Sequence, residues 1–149
     1  MKIPSLFVVA AATAFTTVAA AEVQTAHLTF RPDATSSAYE LTVPADGTPV
    51  FTNSDAKISL VDAPDYYAEG DCTFDTVESA QTHSTVAADG VTGQIVFEPA
   101  TAIRSVSCKG SCVPTYGNCF DDRTGQYIGS CCNGLCAANR CRPWNTGKQ

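Results

Sequence analysis

The chain contains few of the residues on which enzymes and nucleic-acid-binding proteins most often depend. Its 149 residues include nine Lys and Arg, two His, one Met and one Trp. Fifteen Asp and Glu give a formal net charge of −6, so the phosphates of a nucleic acid would be repelled and we expect no nucleic-acid partner. No G-x-S-x-G nucleophile elbow, H-E-x-x-H helix or phosphate-binding glycine-rich loop occurs. We therefore expect no enzymatic activity, no catalytic residue and no cofactor.

The same scarcity gives a metal site little support. His27 lies in an alternating segment and is expected on its outward face, and His83 lies in a polar stretch that is expected to be a loop. The acidic segment 62–71 lacks the D-x-[DN]-x-[DN]-G order of a calcium loop, and we expect it to be an exposed loop. The adjacent Asp121 and Asp122 are expected only to face water. We predict no bound metal.

Long hydrophobic runs are missing except at the N-terminus. Lys2 precedes an apolar stretch from Leu6 to Val18, and three small residues follow at 19–21. This order is typical of a secretory signal peptide, whereas threonines interrupt the run and leave it short of the ~20 residues of a membrane span. We predict a signal peptide over residues 1–21, cleavage before Glu22, no membrane span, and an extracellular location.

Cysteine, by contrast, is abundant. An even number of cysteines in an exported chain predicts disulfides, since the compartment is oxidising. Zinc is disfavoured because the two histidines are far from the cysteine-rich end. All eight cysteines follow the predicted cleavage site: Cys72, Cys108, Cys112, Cys119, Cys131, Cys132, Cys136 and Cys141.

Residues 22–107 have the pattern of antiparallel β-structure. Ala26, Leu28 and Phe30 alternate with polar residues, and further short apolar runs are separated by turn signals such as 44–47 and 89–90. Helical periodicity is missing. The sequence predicts a small all-β domain, a sandwich or a barrel, followed by a cysteine-rich module over 108–149.

The two predicted parts differ in charge. Residues 22–107 hold three basic residues against thirteen acids, a net of −10, whereas residues 108–149 hold five against two, a net of +3. One interpretation is a solvated acidic surface beside ordinary scatter. The other is that the basic module packs against the acidic domain and presents its own face to a partner, in which case salt would weaken the packing.

The cysteine spacing carries a resemblance to a known family. From Cys112 the pattern is C-x6-C-x11-C-C-x3-C-x4-C, which resembles the inhibitor cystine knot, or knottin, over about a quarter of the chain. The segment 120–130 is longer than in most knottins. The resemblance implies the pairs Cys112–Cys132, Cys119–Cys136 and Cys131–Cys141, and it leaves Cys72 with Cys108. That last bridge would lock the final strand of the β-domain to an earlier one.

A rigid disulfide-linked module can bind a partner with few side chains, because its loops lose little entropy on binding. Aromatic residues and arginine contribute most to interface energies. Phe120 is equally compatible with exposure and with a role in covering the disulfides. The residues expected to bind a partner are Tyr116, Arg123, Tyr127, Arg140, Arg142 and Trp144.

The combination of signal peptide, acidic β-domain with the segment YELTVPADG (39–47), and cysteine-rich end resembles the small cysteine-rich secreted proteins of filamentous ascomycete fungi, many of which are effectors of plant pathogens. The resemblance implies a monomer that binds a host extracellular protein or cell-wall glycan in the apoplast and modulates host defence. Two alternatives remain open: an inhibitor of a secreted protease or amylase that presents Arg123, and a carbohydrate-binding wall protein.

Overall fold

The computed structural model describes residues 10–17 and 22–144. Most of the predicted signal peptide, residues 1–9 and 18–21, lies outside the described residues, and residues 10–17 adopt neither helix nor strand. Within the described ranges no helix has the length and apolar character needed to cross a bilayer.

The regular secondary structure of the described chain is almost entirely β-strand, as predicted. A five-stranded sheet has the order β2-β1-β4-β7-β6, a three-stranded sheet has the order β3-β8-β5, and β9 and β10 form a hairpin. Every strand pair is antiparallel. The elements are β1 (Thr25–Arg31), β2 (Tyr39–Pro44), β3 (Val50–Phe51), β4 (Ile58–Ala63), α1 (Ala68–Asp71), β5 (Cys72–Thr76), β6 (Gln81–Val86), β7 (Gly93–Thr101), β8 (Ile103–Cys108), β9 (Leu135–Ala137) and β10 (Arg140–Arg142).

The core lies between the two larger sheets, and alternation places its residues there. Ala26, Leu28 and Phe30 are buried along β1, while His27 between them is exposed, as the sequence predicts. The five-stranded sheet meets the three-stranded sheet through an edge-to-face contact between Phe97 and Phe74, whose ring centroids are 5.4 Å apart. The alternating segments therefore bury their apolar face against a second layer of strands.

The acidic segment 62–71 is not the exposed loop that its composition suggests. Asp62 is the fifth residue of β4 and is only 8% exposed. Its carboxylate accepts hydrogen bonds from Arg31 Nε and Gln94 Nε2, at 2.7 and 2.6 Å. Tyr66 is buried, and α1 occupies the end of the segment. Partners on neighbouring strands compensate the buried charge, and a single sequence does not reveal those partners.

The prediction for His83 is also wrong, because this residue lies in strand β6 opposite Val96 rather than in a loop. β6 is at the edge of its sheet, and residues 81–85 are all exposed. An edge strand with both faces in water shows no apolar alternation, so the usual strand signal is absent.

Candidate functional site

The eight cysteines form four disulfides, and no cysteine of the described residues is free. The pairs are the four that the sequence resemblance implied: Cys72–Cys108, Cys112–Cys132, Cys119–Cys136 and Cys131–Cys141.

The sulfur atoms at the centre of the module cannot act as zinc ligands. One sulfur from each of Cys119, Cys131 and Cys141 lies within 4.8 Å of the others, which is the spacing of a metal cluster. Each is bonded to another sulfur, so it offers no thiolate to a metal. The cluster is the core of the C-terminal module (residues 108–144), where Phe120 and Val113 pack against the three buried cysteines.

Backbone hydrogen bonds connect the loops around this disulfide core. Val113 donates to Ser130 O at 2.7 Å and accepts from the amide of Cys132 at 2.9 Å. The β9–β10 hairpin turns at Ala138 and Asn139, whose φ values of 51° and 62° are those of a two-residue type I′ turn. Cross-linked and hydrogen-bonded loops lose little conformational entropy on binding.

Tyr116 is exposed beside the hairpin. Its side chain is 62% exposed, and its backbone amide donates a hydrogen bond to Cys141 O in β10, the strand that carries Arg140 and Arg142. Its φ of 68° lies in the left-handed region, which is costly for a residue with a side chain. Strained residues of this kind are often found at functional positions. Arg140 is exposed, whereas Arg142 is half-buried and donates from Nε to Ala137 O.

The segment 120–130 forms a closed loop that presents Arg123 and Tyr127. The amides of Arg123 and Thr124 donate to Asp121 Oδ1 at 2.7 and 2.9 Å, and these bonds lower the pKa of the Asp121 carboxyl. Tyr127 is 60% exposed and meets Phe120 edge to face. Asp121 therefore fixes a turn, which corrects the expectation that this carboxylate only faces water.

Asp122 links this loop to the hairpin. Its two carboxylate oxygens accept hydrogen bonds from the side-chain amides of Asn118 and Asn139, at 3.3 and 3.4 Å. Arg123 follows Asp122 in segment 120–130, and Arg140 follows Asn139 at the start of β10, so these contacts bring the two arginines to neighbouring parts of the module. The structure thus brings five of the six predicted partner-binding residues to the exposed loops and hairpin of the module.

Trp144, the sixth, lies apart from them at the boundary with the β-domain. It borders a cleft of about 220 Å³ whose lining includes Tyr66, Tyr67, Glu69, Ile95 and Asn133. We call this the junction cleft. Trp144 Nε1 donates to Asn133 Oδ1 at 2.7 Å, and the ring is 39% exposed. Trp144 is therefore held at the junction and is not part of the exposed loops.

Hydrogen bonds rather than ion pairs connect the module to the β-domain. Gln24 makes two with the backbone of Cys112, both at 2.9 Å, and buried Tyr66 donates to Gly110 O at 3.0 Å. Asn133 Oδ1 also accepts from the Gly93 amide at 3.1 Å. Burial and the nearby Asp71 carboxylate raise the pKa of Tyr66, so its hydroxyl stays a donor at neutral pH.

The three ion pairs of arginine and lysine among residues 22–144, and the His27–Asp65 contact, all join two residues of the β-domain. Within that part of the chain, the basic module is therefore not packed on the acidic domain through salt bridges. The interpretation that opposite charges hold the two parts together thus lacks the contacts that it requires. Gln24, Tyr66 and Asn133 were not singled out from the sequence, because an isolated polar residue has no pattern that reveals a distant backbone partner.

Comparisons of the chain with family models, with curated proteins and with solved structures find no match.

Proposed function

We propose that the chain is a secreted, effector-type protein of a filamentous ascomycete that binds a host extracellular protein or cell-wall glycan through its C-terminal module. In this proposal it modulates host defence, acts as a monomer and catalyses no reaction. The disulfide-rich, small β-structure agrees with an extracellular location, because such bonds persist in oxidising compartments.

One observation carries the proposal: the two tyrosines that the sequence analysis expects to bind a partner are exposed on the module. Tyr116 and Tyr127 are 62% and 60% exposed, although the module has only a cluster of half-cystines as its core. Exposed aromatics beside arginines on a rigid support are the groups that contribute most to protein interfaces. These groups bind rather than catalyse, so the proposal gives them no catalytic role.

Binding to plant extracellular fluid and to insoluble chitin and cellulose tests the proposal. We expect the secreted wild-type chain to bind one of these, and the triple variant Tyr116→Ala, Tyr127→Ala, Arg140→Ala to bind at least tenfold more weakly. Phe51→Ala is the matched control, since Phe51 is an aromatic residue that is 64% exposed on β3 of the β-domain.

The outcomes separate the partner classes. Retention on a polysaccharide identifies a glycan partner, and binding only to a soluble host protein identifies a protein partner. A triple variant that binds as tightly as the wild type, or a Phe51→Ala variant that loses binding to the same degree, would contradict the proposal.

A hydrolase inhibitor is the second candidate, because Arg123 is exposed on a turn that Asp121 holds in place. A protease that recognises basic residues would meet a pre-ordered arginine there. Inhibition of a trypsin-like protease that is lost in Arg123→Ala and kept in Arg140→Ala would favour this candidate over the first.

A further inference from the structure

Strand β6 is an open edge of the five-stranded sheet. It pairs only with β7, and none of its residues 81–86 makes a hydrogen bond outside that pairing within the described chain. Alternate N–H and C=O groups of an edge strand point away from the sheet and are available to another strand.

The edge also lacks the usual features that prevent strand addition. β6 contains no lysine, arginine or proline, and its register with β7 runs without a bulge from Gln81↔Glu98 to Val86↔Gly93. The opposite edge of the same sheet, β2, carries a charge at Glu40 and ends at Pro44. Only one of the two edges is therefore well suited to pair with a further strand.

Two clefts lie along β6. The junction cleft is lined by its C-terminal half, Ser84 to Val86. A second cleft of about 340 Å³, which we call the edge cleft, is lined by Thr82 and His83 together with Phe74, Ile95 and Phe97. Glu69 borders both clefts.

The register explains why the edge cleft exists. Thr82 pairs with Phe97 and Ser84 pairs with Ile95, so these small polar side chains share the face of two buried apolar ones. They are too small to close the space between β6 and Phe74 of β5, which is itself the edge strand of the other sheet. Apolar side chains of the core therefore line a gap beside the open edge.

The positions of the two clefts, one beside each half of β6, suit an extended peptide. Side chains at positions i and i+2 of a strand point to the same face and lie roughly 6.8 Å apart, given a rise of about 3.4 Å per residue. A strand added alongside β6 could thus direct alternate side chains toward the two clefts. Main-chain hydrogen bonds would then supply affinity and the clefts would supply specificity.

Charge determines which peptide fits. The elements around the edge, namely α1, β5, β6 and β7, contain no lysine or arginine, and the module residues that line the junction cleft carry no charge. Apart from Asp75, which pairs with Arg104, the acids of these elements are Glu69, Asp71 and Glu98. The three basic residues of the β-domain are already paired with acids: Arg31 with Asp62, Lys57 with Glu78, and Arg104 with Asp75. A basic segment is attracted to this edge, whereas the same acidic edge of a second copy of the chain is repelled.

We propose that β6 is a docking site for an extended, basic polypeptide segment of another protein, which adds to the sheet as a sixth strand and places alternate apolar side chains in the junction and edge clefts. The strand belongs to the β-domain, and the module contributes only the far wall of the junction cleft, with Asn133 and Trp144. The site does not involve Tyr116, Tyr127 or Arg140. It is therefore independent of the binding role proposed for the module.

The test uses the secreted full-length mature chain and the synthetic peptide (Val-Lys)4, labelled for fluorescence anisotropy. We expect binding that weakens with added salt, together with slower amide hydrogen exchange at residues 81–86 and unchanged exchange in β2. The peptide (Val-Glu)4 has the same alternation and the opposite charge, and we expect it to bind at least tenfold more weakly.

A pair of threonine substitutions provides the matched control. Thr82 and Thr42 are exposed residues on opposite edges of the same sheet. Thr82→Lys should weaken (Val-Lys)4 binding at least tenfold, because it adds a like charge to the open edge, and Thr42→Lys should change it less than twofold. The unfolding midpoint of each variant shows that it is folded, and the two-peptide comparison on the wild type does not depend on any variant.

Several results would overturn the proposal. Equal binding of the two peptides would remove the charge argument, and protection of β2 amides to the same degree would show that the β6 edge is not special. Protection of residues 81–86 that grows with protein concentration in the absence of peptide would identify a second copy as the occupant instead.

Discussion

Removal of the disulfide between Cys72 and Cys108 should be among the most destabilising changes that this chain can undergo. The two cysteines are separated by 36 positions and are cross-strand neighbours in β5 and β8. Closing a loop of this length restricts the unfolded chain by about 4 kcal/mol in the chain-entropy account. Replacing both residues by alanine also removes the sulfur of fully buried Cys108, which adds about 1 kcal/mol of lost apolar burial.

The expected loss is large because small domains are stable by only ~5–15 kcal/mol in total. Urea denaturation at 25 °C, followed by far-UV circular dichroism, measures it. With a slope of roughly 2 kcal/mol per molar urea, the midpoint should fall by about 2 M. Cys72→Ala alone is the control, since it opens the same loop and keeps the buried thiol of Cys108. A midpoint shift below roughly 0.5 M in both variants would refute the reasoning, since it would correspond to only about 1 kcal/mol.

Three further predictions concern the module, the junction and the loss of folding stability at low pH. Gly134→Ala should cost more than about 2 kcal/mol of unfolding free energy, because φ is 117° and the added Cβ would lie 2.1 Å from a backbone oxygen of β10. Gly125→Ala is the control: its φ is 69° and no atom lies within 4 Å of the added Cβ, so it should cost about 1 kcal/mol in the same denaturation experiment. Asn133→Ala should cost about 2 kcal/mol of unfolding free energy and shift the fluorescence of Trp144, since it removes three hydrogen bonds, including the one from the indole. An unchanged emission spectrum would contradict this prediction. A threonine hydroxyl and backbone amides lower the pKa of Asp33 from 3.8 to about 2, so the contribution of Asp33 to folding stability is present above pH 4 and is lost as the pH falls to about 2. Asp33→Asn should flatten the pH dependence of the unfolding midpoint between these pH values. An unaltered slope would exclude the effect.

Much of the β-domain could be predicted because its strands bury one face. The alternation of Ala26, Leu28 and Phe30 requires an extended segment with a covered side, and this is how β1 lies. The same logic fails at His83 and at Asp62. β6 buries neither face well, and the charge of Asp62 is matched by Arg31 from another strand, so local composition gave the wrong environment in both cases.

The candidate site could be predicted in its residue types but not in its arrangement. Tyrosines and arginines are the residue types that contribute most to interfaces, and the structure shows that Tyr116 and Tyr127 are exposed. Trp144 was expected beside them but is held by Asn133 at the junction. That placement depends on a contact between residues 11 positions apart, across the hairpin, and no periodicity encodes it.

Internal packing does not explain the division of charge. An attraction between the basic module and the acidic β-domain would have produced ion pairs across the junction, yet the described ion pairs lie within the β-domain. The junction rests on hydrogen bonds in which Gln24 and Tyr66 donate and Asn133 accepts. Exposed charges act over about 8 Å at physiological ionic strength, so they can still attract a partner that approaches the surface. The β6 edge is acidic and the exposed arginines of the module are basic. A partner whose surface carries charge of one sign is therefore attracted to only one of these two sites. The two proposed sites should therefore bind chemically different partners.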